Sequence, residues 1–297
     1  MVGVSGGADS LALAAALVAE LWPESAHGAG GGGRGVPIEA VIVDHQLQAG
    51  SRGVAEAAAA TVRSWDDGSG QVSARVVPVE VPGTGESLEA RARVARYRAL
   101  ASVASGRPVF IAHTQDDQAE TYLLGALRGN PSGLSVVSAI EGATVIRPLL
   151  AVRRADTQAA CTELGLTPWQ DPHNSDSRFR RVRIRQDVLP LLGAVIGGDA
   201  VPAIAQAGAR VAKQQQEREL ASSLPLRTAD LPETVRHELI AALLRTTGAR
   251  VSVHHIGEID RLLTDWHGQG PLDVGGGLVA LRVADAVIVQ SKNQAIE

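Results

Sequence analysis

Continuous apolar runs punctuate the first half of the chain at regular intervals: IEAVIV at 38–43, ARVVPVEV at 74–81 and PVFIA at 108–112. Each run is bounded by polar turns, the pattern of strands buried on both faces. A shorter apolar stretch begins at Val2, and stretches with helical periodicity fall between the runs at about 9–21, 53–65, 88–104 and 116–127. Such alternation predicts an α/β fold, a parallel sheet with helices on both faces, Rossmann-like in outline. Ligands of these sheets bind beyond the carboxyl ends of the strands. Further on, the pattern predicts a helix at 153–164, an irregular segment at 168–185 and a helical stretch near 200–221. Helices at about 232–246 and 253–265 precede short strands near 271–274, 278–283 and 286–290. The chain thus divides into a first domain over 1–192, a helical linker over 193–230, and a smaller, mainly helical α+β domain over 231–297. The glycine-rich stretch 27–35 (HGAGGGGRG) reads as a surface loop between the first helix and the second strand.

Composition adds three constraints. With only four Trp, two Tyr and two Phe in 297 residues, the core must rest on Val, Leu, Ile and Ala. A net charge of −4 argues against a protein that coats nucleic acid nonspecifically, since phosphate contacts need clustered cations. One local cluster exists: Arg178, Arg180, Arg181, Arg183 and Arg185. Cys161 is the single cysteine, which excludes an intramolecular disulfide and a cysteine-held metal cluster within one chain. No apolar run reaches the roughly 18 residues of a membrane span, and no signal peptide is apparent, so a cytoplasmic location is expected.

The first candidate site is VGVSGGADSLAL, Val2 to Leu13. Gly6 and Gly7 let the backbone turn sharply after a strand. Exposed amides at the start of the next helix favour an anion, and the Ser5 and Ser10 hydroxyls add donors. The lysine of a Walker loop is absent. A plain turn with Asp9 or Ser10 as helix cap is the structural alternative.

Other candidates follow the later strands. Asp44 and His45 follow the second predicted strand, the run at 38–43. Arg93 and Arg96, three apart, share a helix face in EARARVARY (89–97). In AHTQDDQAET (112–121), Asp117 and Glu120 stand one helical turn apart at a strand end, with Asp116 a possible cap. Arg128-Gly129 and Arg147-Pro148-Leu149-Leu150 come next. The segment from Trp169 through Asn174 to Arg181 and Arg185 combines an aromatic, a polar loop and arginines, a combination suited to an RNA backbone.

The string SGGADS at the head of an alternating domain resembles the PP-loop family of ATP pyrophosphatases. The DHQL, EARARVARY and HTQDDQAET strings, with RPLL and the DPHN and RVRIR segments, resemble within it the lysidine synthetases. The resemblance is strong over 1–192 and weak over 232–290. It implies that ATP is cleaved between its α and β phosphates on a loop of Ser5, Gly6, Gly7, Ala8, Asp9 and Ser10, with Asp9 on Mg²⁺. It implies Asp44, Arg93, Asp117 and Glu120 as catalytic residues. Arg128, Asn174, Arg181 and Arg185 are implied to contact the tRNA. The partners implied are ATP, L-lysine and the isoleucine tRNA with a CAU anticodon. This chain departs from the family pattern at Gln46 (Gly expected), Gln48 (Arg) and Val182 (Asn). Other PP-loop enzymes, a tRNA thiolase or an amide-forming ligase, and a non-catalytic tRNA-binding relative are the competing readings.

Overall fold

A computed structural model describes residues 1–21, 36–48, 50–83, 88–172, 176 and 178–294. The glycine-rich stretch 27–35 and Asn174 lie outside the described residues. The chain forms two units, Met1–Ala212 and Lys213–Glu297.

In the first unit, β1 (Val2–Val4), α1 (Ala8–Leu21), β2 (Ile38–Asp44), α2 (Ser51–Arg63), β3 (Val72–Pro78), α3 (Leu88–Ala104), β4 (Val109–Phe110) and α4 (Gln115–Ala126) follow the expected alternation. A hairpin of β5 (Val137–Ile140) and β6 (Ala143–Ile146) comes next, then α5 (Arg154–Glu163), α6 (Arg180–Arg183), a π-helical turn at Ile184–Val188, α7 (Leu189–Ile196) and α8 (Val201–Ala221). The sheet order is β3-β2-β1-β4-β6-β5. All pairings are parallel except β5–β6, with Val2 beside Ala40 and Ile38 beside Val72. The order runs outward from β1 to β3 and then resumes on the other side of β1 with β4. The crevice between the carboxyl ends of β1 and β4 is therefore the switch point where ligands bind in open α/β sheets. Ser5-Gly6-Gly7 leaves one of these strands and His113–Asp117 follows the other.

Both faces of β2 are covered. Ala40 and Ile42 pack with α1, α2 and Cys161 of α5, whereas Val41 packs with Tyr97, Leu100 and Ala104 of α3. Small Ala55, Ala58 and Ala59 let α2 lie close to the sheet, which supplies packing where aromatic residues are scarce. Each fully buried Val, Ile or Leu contributes roughly 1.5–3 kcal/mol relative to exposure.

Within the first unit, two features differ from the sequence expectation. The β5–β6 hairpin was not expected; its strands are four residues each, and its turn places Glu141 and Gly142 at φ 49° and 79°. Two consecutive positive φ values are those of a type I′ hairpin turn, without the Asn-Gly pair that usually signals it. The segment expected to be irregular through 185 is helical from Arg180. Its π turn immediately precedes Leu189-Pro190. A proline inside a continuous helix would lose a hydrogen bond and collide with the carbonyl four residues back, and a widened turn relieves that collision.

The second unit contains the end of α8, β7 (Ser223–Pro225), α9 (Glu233–Thr247), α10 (Val253–Thr264), β8 (Leu272–Gly275), β9 (Leu278–Val283) and β10 (Ala286–Ser291). Its antiparallel sheet has the order β7-β10-β9-β8. Ile240, Leu244, Ile259 and Leu262 of the two helices pack on Val274, Ala280 and Val287 of the sheet. Arg236 and Asp260 join α9 to α10 through two hydrogen bonds of 2.7 and 2.9 Å. The stretch 193–230, expected to be a helical linker, is helical only in part: Ser223–Pro225 is a strand of this second sheet.

Candidate active site

After β1 the chain turns at Gly6, whose φ of +86° is one that glycine adopts freely. The Gly6 carbonyl accepts a 2.9 Å hydrogen bond from the Trp169 amide, and a Cβ on Gly6 would stand 3.3 Å from Cβ of Ala58. The loop is braced from within. Ser10 Oγ accepts from the Ser5 amide at 3.1 Å and donates to the Gly7 carbonyl at 2.9 Å. Ser10 is buried, so its hydroxyl shapes the loop, while Ser5 is exposed. Helix α1 begins at Ala8, so neither Asp9 nor Ser10 is its cap. The first amides of α1 have no partners within the helix and carry its positive dipole end.

Asp9 faces α5. Its carboxylate accepts a hydrogen bond from Thr157 Oγ1 and another, at 3.3 Å, from Arg154 Nε. Burial pushes the Asp9 carboxyl above its usual range, against the pull of Thr157 and Arg154. Arg154 also donates from Nη2 to Asp117 Oδ1 at 2.8 Å and from Nη1 to Glu120 Oε1 at 3.2 Å. One guanidinium thus ties the loop after β1 to Asp117 and Glu120 of α4. Burial opposes its charge, but the carboxylates of Asp117, Glu120 and Asp9 outweigh it and hold the proton more firmly than usual.

Thr114, not Asp116, caps α4. Its side chain accepts from the Asp117 amide, while Asp117 Oδ2 accepts from the Thr114 amide and hydroxyl, both at 2.8 Å. Burial works to raise the Asp117 carboxyl; Arg154, His113 and these hydrogen bonds prevail and keep it below its ordinary value. Asp116 turns the other way, accepting from both Nε and Nη2 of Arg153 and from the Arg154 amide. Glu120 is fully buried. Its Oε1 also accepts from Arg185 Nε at 2.7 Å, and Arg181 Nη1 lies 3.8 Å from Oε2.

A second charged group lies beyond β2 and β4 and is almost wholly cationic. The Arg93 and Arg96 guanidiniums stand 5.1 and 5.4 Å from the centre of the buried Tyr97 ring, within cation–π range. Arg147, at 2% exposure, donates to His113 Nδ1 at 3.0 Å, to the Ser135 carbonyl at 2.7 Å and to Ser138 Oγ at 2.9 Å. All three acceptors are neutral. An acceptor Nδ1 fixes the proton of neutral His113 on Nε2. Burial lowers the His113 pKa, and the neighbouring arginines Arg96, Arg147 and Arg93 add to that shift against Asp117. His45 is lowered for the same reasons, burial first and then Arg96.

The structure thus gathers Ser5 to Ser10, Asp117 and Glu120 at one crevice. Asp44 is buried at the end of β2, where its carboxylate accepts the Gln46 amide at 3.0 Å. Arg181 and Arg185 turn to Glu120, while Arg178, Arg180 and Arg183 of the same segment are exposed. Arg128 is exposed at the end of α4. Sequence reasoning missed Arg153, Arg154 and Thr157. A signal was present: arginine at a helix start opposes the helix dipole, so two in succession there require acidic partners elsewhere. Among the described residues, no three His, Cys, Asp or Glu side chains group to hold a metal. Asp9 beside the loop fits the weaker requirement of magnesium at a nucleotide, which takes one or two carboxylates and otherwise phosphate oxygens and water. No single helix among the described residues is long and apolar enough to cross a membrane.

Residues 1–192 match the family described as PP-loop domain. Over most of its length the chain is similar to tRNA(Ile)-lysidine synthases. It is 44% identical to that of Corynebacterium glutamicum over 283 residues, 92% of this chain and 83% of the relative. It is 43% identical to that of Nocardia farcinica, over 96% of this chain and 88% of the relative. The enzyme of Mycobacterium tuberculosis is also 43% identical, over 97% and 89%. Among solved structures, the U34-tRNA thiolase NcsA of Methanococcus maripaludis, solved with its 4Fe-4S cluster, shares the fold. Its TM-score is 0.55 at 16% identity, over 73% of this chain and 71% of that one.

Proposed function

Because this chain belongs to the tRNA(Ile)-lysidine synthase family and carries its PP-loop domain, we propose that it joins lysine to the wobble cytidine of the CAU-anticodon isoleucine tRNA at the expense of ATP. The observation that carries the reading at the level of residues is Arg154, which connects Asp9 beside the anion-binding loop with Asp117 and Glu120. A ligase that activates one substrate with ATP and then joins an amine to it needs phosphate chemistry and amine recognition within one crevice.

The chemistry is an activation followed by a displacement. The C2 oxygen of cytidine attacks the α-phosphorus of ATP, and pyrophosphate leaves. The ε-amine of lysine then attacks C2 and loses a proton, and the oxygen departs with AMP. A carbonyl oxygen is a poor leaving group, and its adenylate is a good one. The loop from Ser5 to Ser10, with the amides of α1, holds the pyrophosphate as charge develops on it. Asp9 would hold magnesium, which when bound neutralises phosphate charge. Asp117 and Glu120 hold the ammonium groups of lysine, and one of them or Asp44 takes the proton. Arg93, on the cationic side, faces anionic parts of the substrates. Arg128, Asn174 and the exposed arginines of 178–183 meet tRNA phosphates, and 231–297 is a tRNA-interacting domain.

The fold alone is shared with a thiolase. The single cysteine here, Cys161, is buried and donates to the Ala8 carbonyl at 3.4 Å, so it offers no set of thiolates for that chemistry. Pyrophosphate release from ATP tests the proposal. Release should require the CAU-anticodon isoleucine tRNA, stop after a single turnover without lysine and continue only with it; release that ignores the tRNA, or repeated turnover that ignores lysine, contradicts it.

A further inference from the structure

The acids reserved above for the amine are already neutralised. Asp9, Asp117 and Glu120 face Arg154, Arg181 and Arg185, three carboxylates against three guanidiniums. An incoming ammonium therefore meets no surplus negative charge. Yet the fit is incomplete. Glu120 is fully buried, and its Oε2 accepts no hydrogen bond among the described residues; Arg181 Nη1 lies 3.8 Å from it. The three arginines are also unequal. Arg154 is the deepest, at 17% exposure, and is shared among three acids. Arg181 and Arg185 are about 30% exposed and come from the solvent side, Arg185 on the π turn. A π turn sits in a helix as a local irregularity, often where function needs one.

From this geometry we propose that Arg181 and Arg185 occupy, in the unliganded protein, the subsite that an ammonium group of lysine takes during the reaction. Phosphate binding draws them away from Glu120 and opens that subsite, so lysine binds after a phosphate-bearing substrate. The inference rests on the lysine-and-ATP reading of the site and adds an order to it. A buried carboxylate stripped of its cations is costly, so Glu120 retains its arginines while nothing competes for them. Phosphate does compete, because guanidinium and phosphate form charge-assisted, bidentate hydrogen bonds. In the exchange the phosphate takes the arginines, the ammonium takes Glu120, and every charge stays paired. Arg181 and Arg185 are thus positioning residues for lysine, acting through Glu120. The required chemistry is a phosphate anion, and the triphosphate of ATP and the tRNA backbone are its two sources.

The test is calorimetric titration of L-lysine into the full chain in three arms: alone, with magnesium and α,β-methylene-ATP, and with a CAU-anticodon isoleucine tRNA transcript. Lysine affinity should rise at least tenfold in one or both phosphate arms, and the arm that responds identifies the source. By linkage, lysine should tighten that phosphate ligand by the same factor. Arg185→Met should tighten lysine binding to the free protein and shrink the coupling towards unity, whereas Arg185→Lys should preserve the coupling. If circular dichroism shows that Arg185→Met does not fold, Arg181→Gln carries the same expectation. Equal lysine affinity in all three arms, or no lysine binding in any, overturns the proposal. Lysine incorporation into tRNA by the wild type is measured in parallel. Incorporation without coupling removes the binding order alone; no incorporation removes the functional reading beneath it.

Discussion

Arg154 Nη2 stands 2.8 Å from Asp117 Oδ1, while the other oxygen of the same carboxylate is held by the amide and hydroxyl of Thr114. Asp117 is thereby fixed on both sides, once by the cap of its own helix and once by the first residue of α5. Removing Arg154 should leave Asp117 and Glu120 short of a cation in a buried place. Arg154→Met is expected to cost roughly 3–5 kcal/mol, the range for breaking a buried ion pair. Arg154→Lys should also destabilise, because an ammonium cannot bridge three carboxylates as a planar guanidinium does. Urea unfolding followed by circular dichroism reads both variants. Unchanged midpoints would mean that the network does not hold the site together.

Asp9 behaves differently because burial already disfavours its charge. A group whose folded pKa is raised loses stability as pH rises through that value, so removing its charge at neutral pH has no electrostatic cost to the fold. Asp9→Asn should therefore keep the unfolding midpoint close to wild type. ATP–pyrophosphate exchange should fall by about two orders of magnitude, the size of effect seen when one stabiliser of developing charge is lost. Exchange at the wild-type rate would remove Asp9 from the nucleotide site.

His113 gives a pH signature. Its folded pKa is depressed, by burial first and by neighbouring arginines next, below the ordinary value of 6.5. As pH falls below about 6.5 the unfolded chain takes up a proton that the folded chain refuses. Stability should then decline with a slope approaching about 1.4 kcal/mol per pH unit from this one group. His45 is depressed too and contributes in the same sense. His113→Gln should flatten the decline between pH 6.5 and 5, measured as the difference from wild type in urea midpoints across that range. Parallel profiles for the two proteins would show that His113 protonates freely in the fold.

The strands and helices of the first domain were legible because they rest on local signals. Continuous apolar runs mark β2 and β4, and SGGADS marks the turn from β1 into α1. What escaped was not local. The β5–β6 strands are too short for periodicity to register, and their turn lacks the usual residues. The Arg154 network joins residues 9, 117, 120 and 154, whose proximity depends on the sheet order rather than on spacing. The arginines at 181 and 185 were readable as a basic cluster, but their turning inward to Glu120 depends on tertiary packing. Composition identifies the ions, and only the fold pairs them.

Gln46 shows a departure with a measurable consequence. Its φ is 55°, in the left-handed region, at the position where the family pattern carries glycine. A non-glycine residue there costs roughly 1–2 kcal/mol, part of which the extra chain entropy of glycine offsets. Gln46→Gly should stabilise the protein by up to about 1 kcal/mol, seen as a higher thermal midpoint. A lower midpoint would mean that the Gln46 side chain, 3.5 Å from the Val79 carbonyl, contributes more than the backbone conformation costs.

The covalent product is the most direct test of the central claim. Purified protein is incubated with ATP, magnesium, isotopically labelled lysine and unmodified CAU-anticodon isoleucine tRNA, and the tRNA is digested to nucleosides and resolved by mass spectrometry. The account predicts labelled lysidine in place of the wobble cytidine, formed only with ATP present and lost in Glu120→Gln. An unaltered wobble cytidine, or label at any other position, would contradict it.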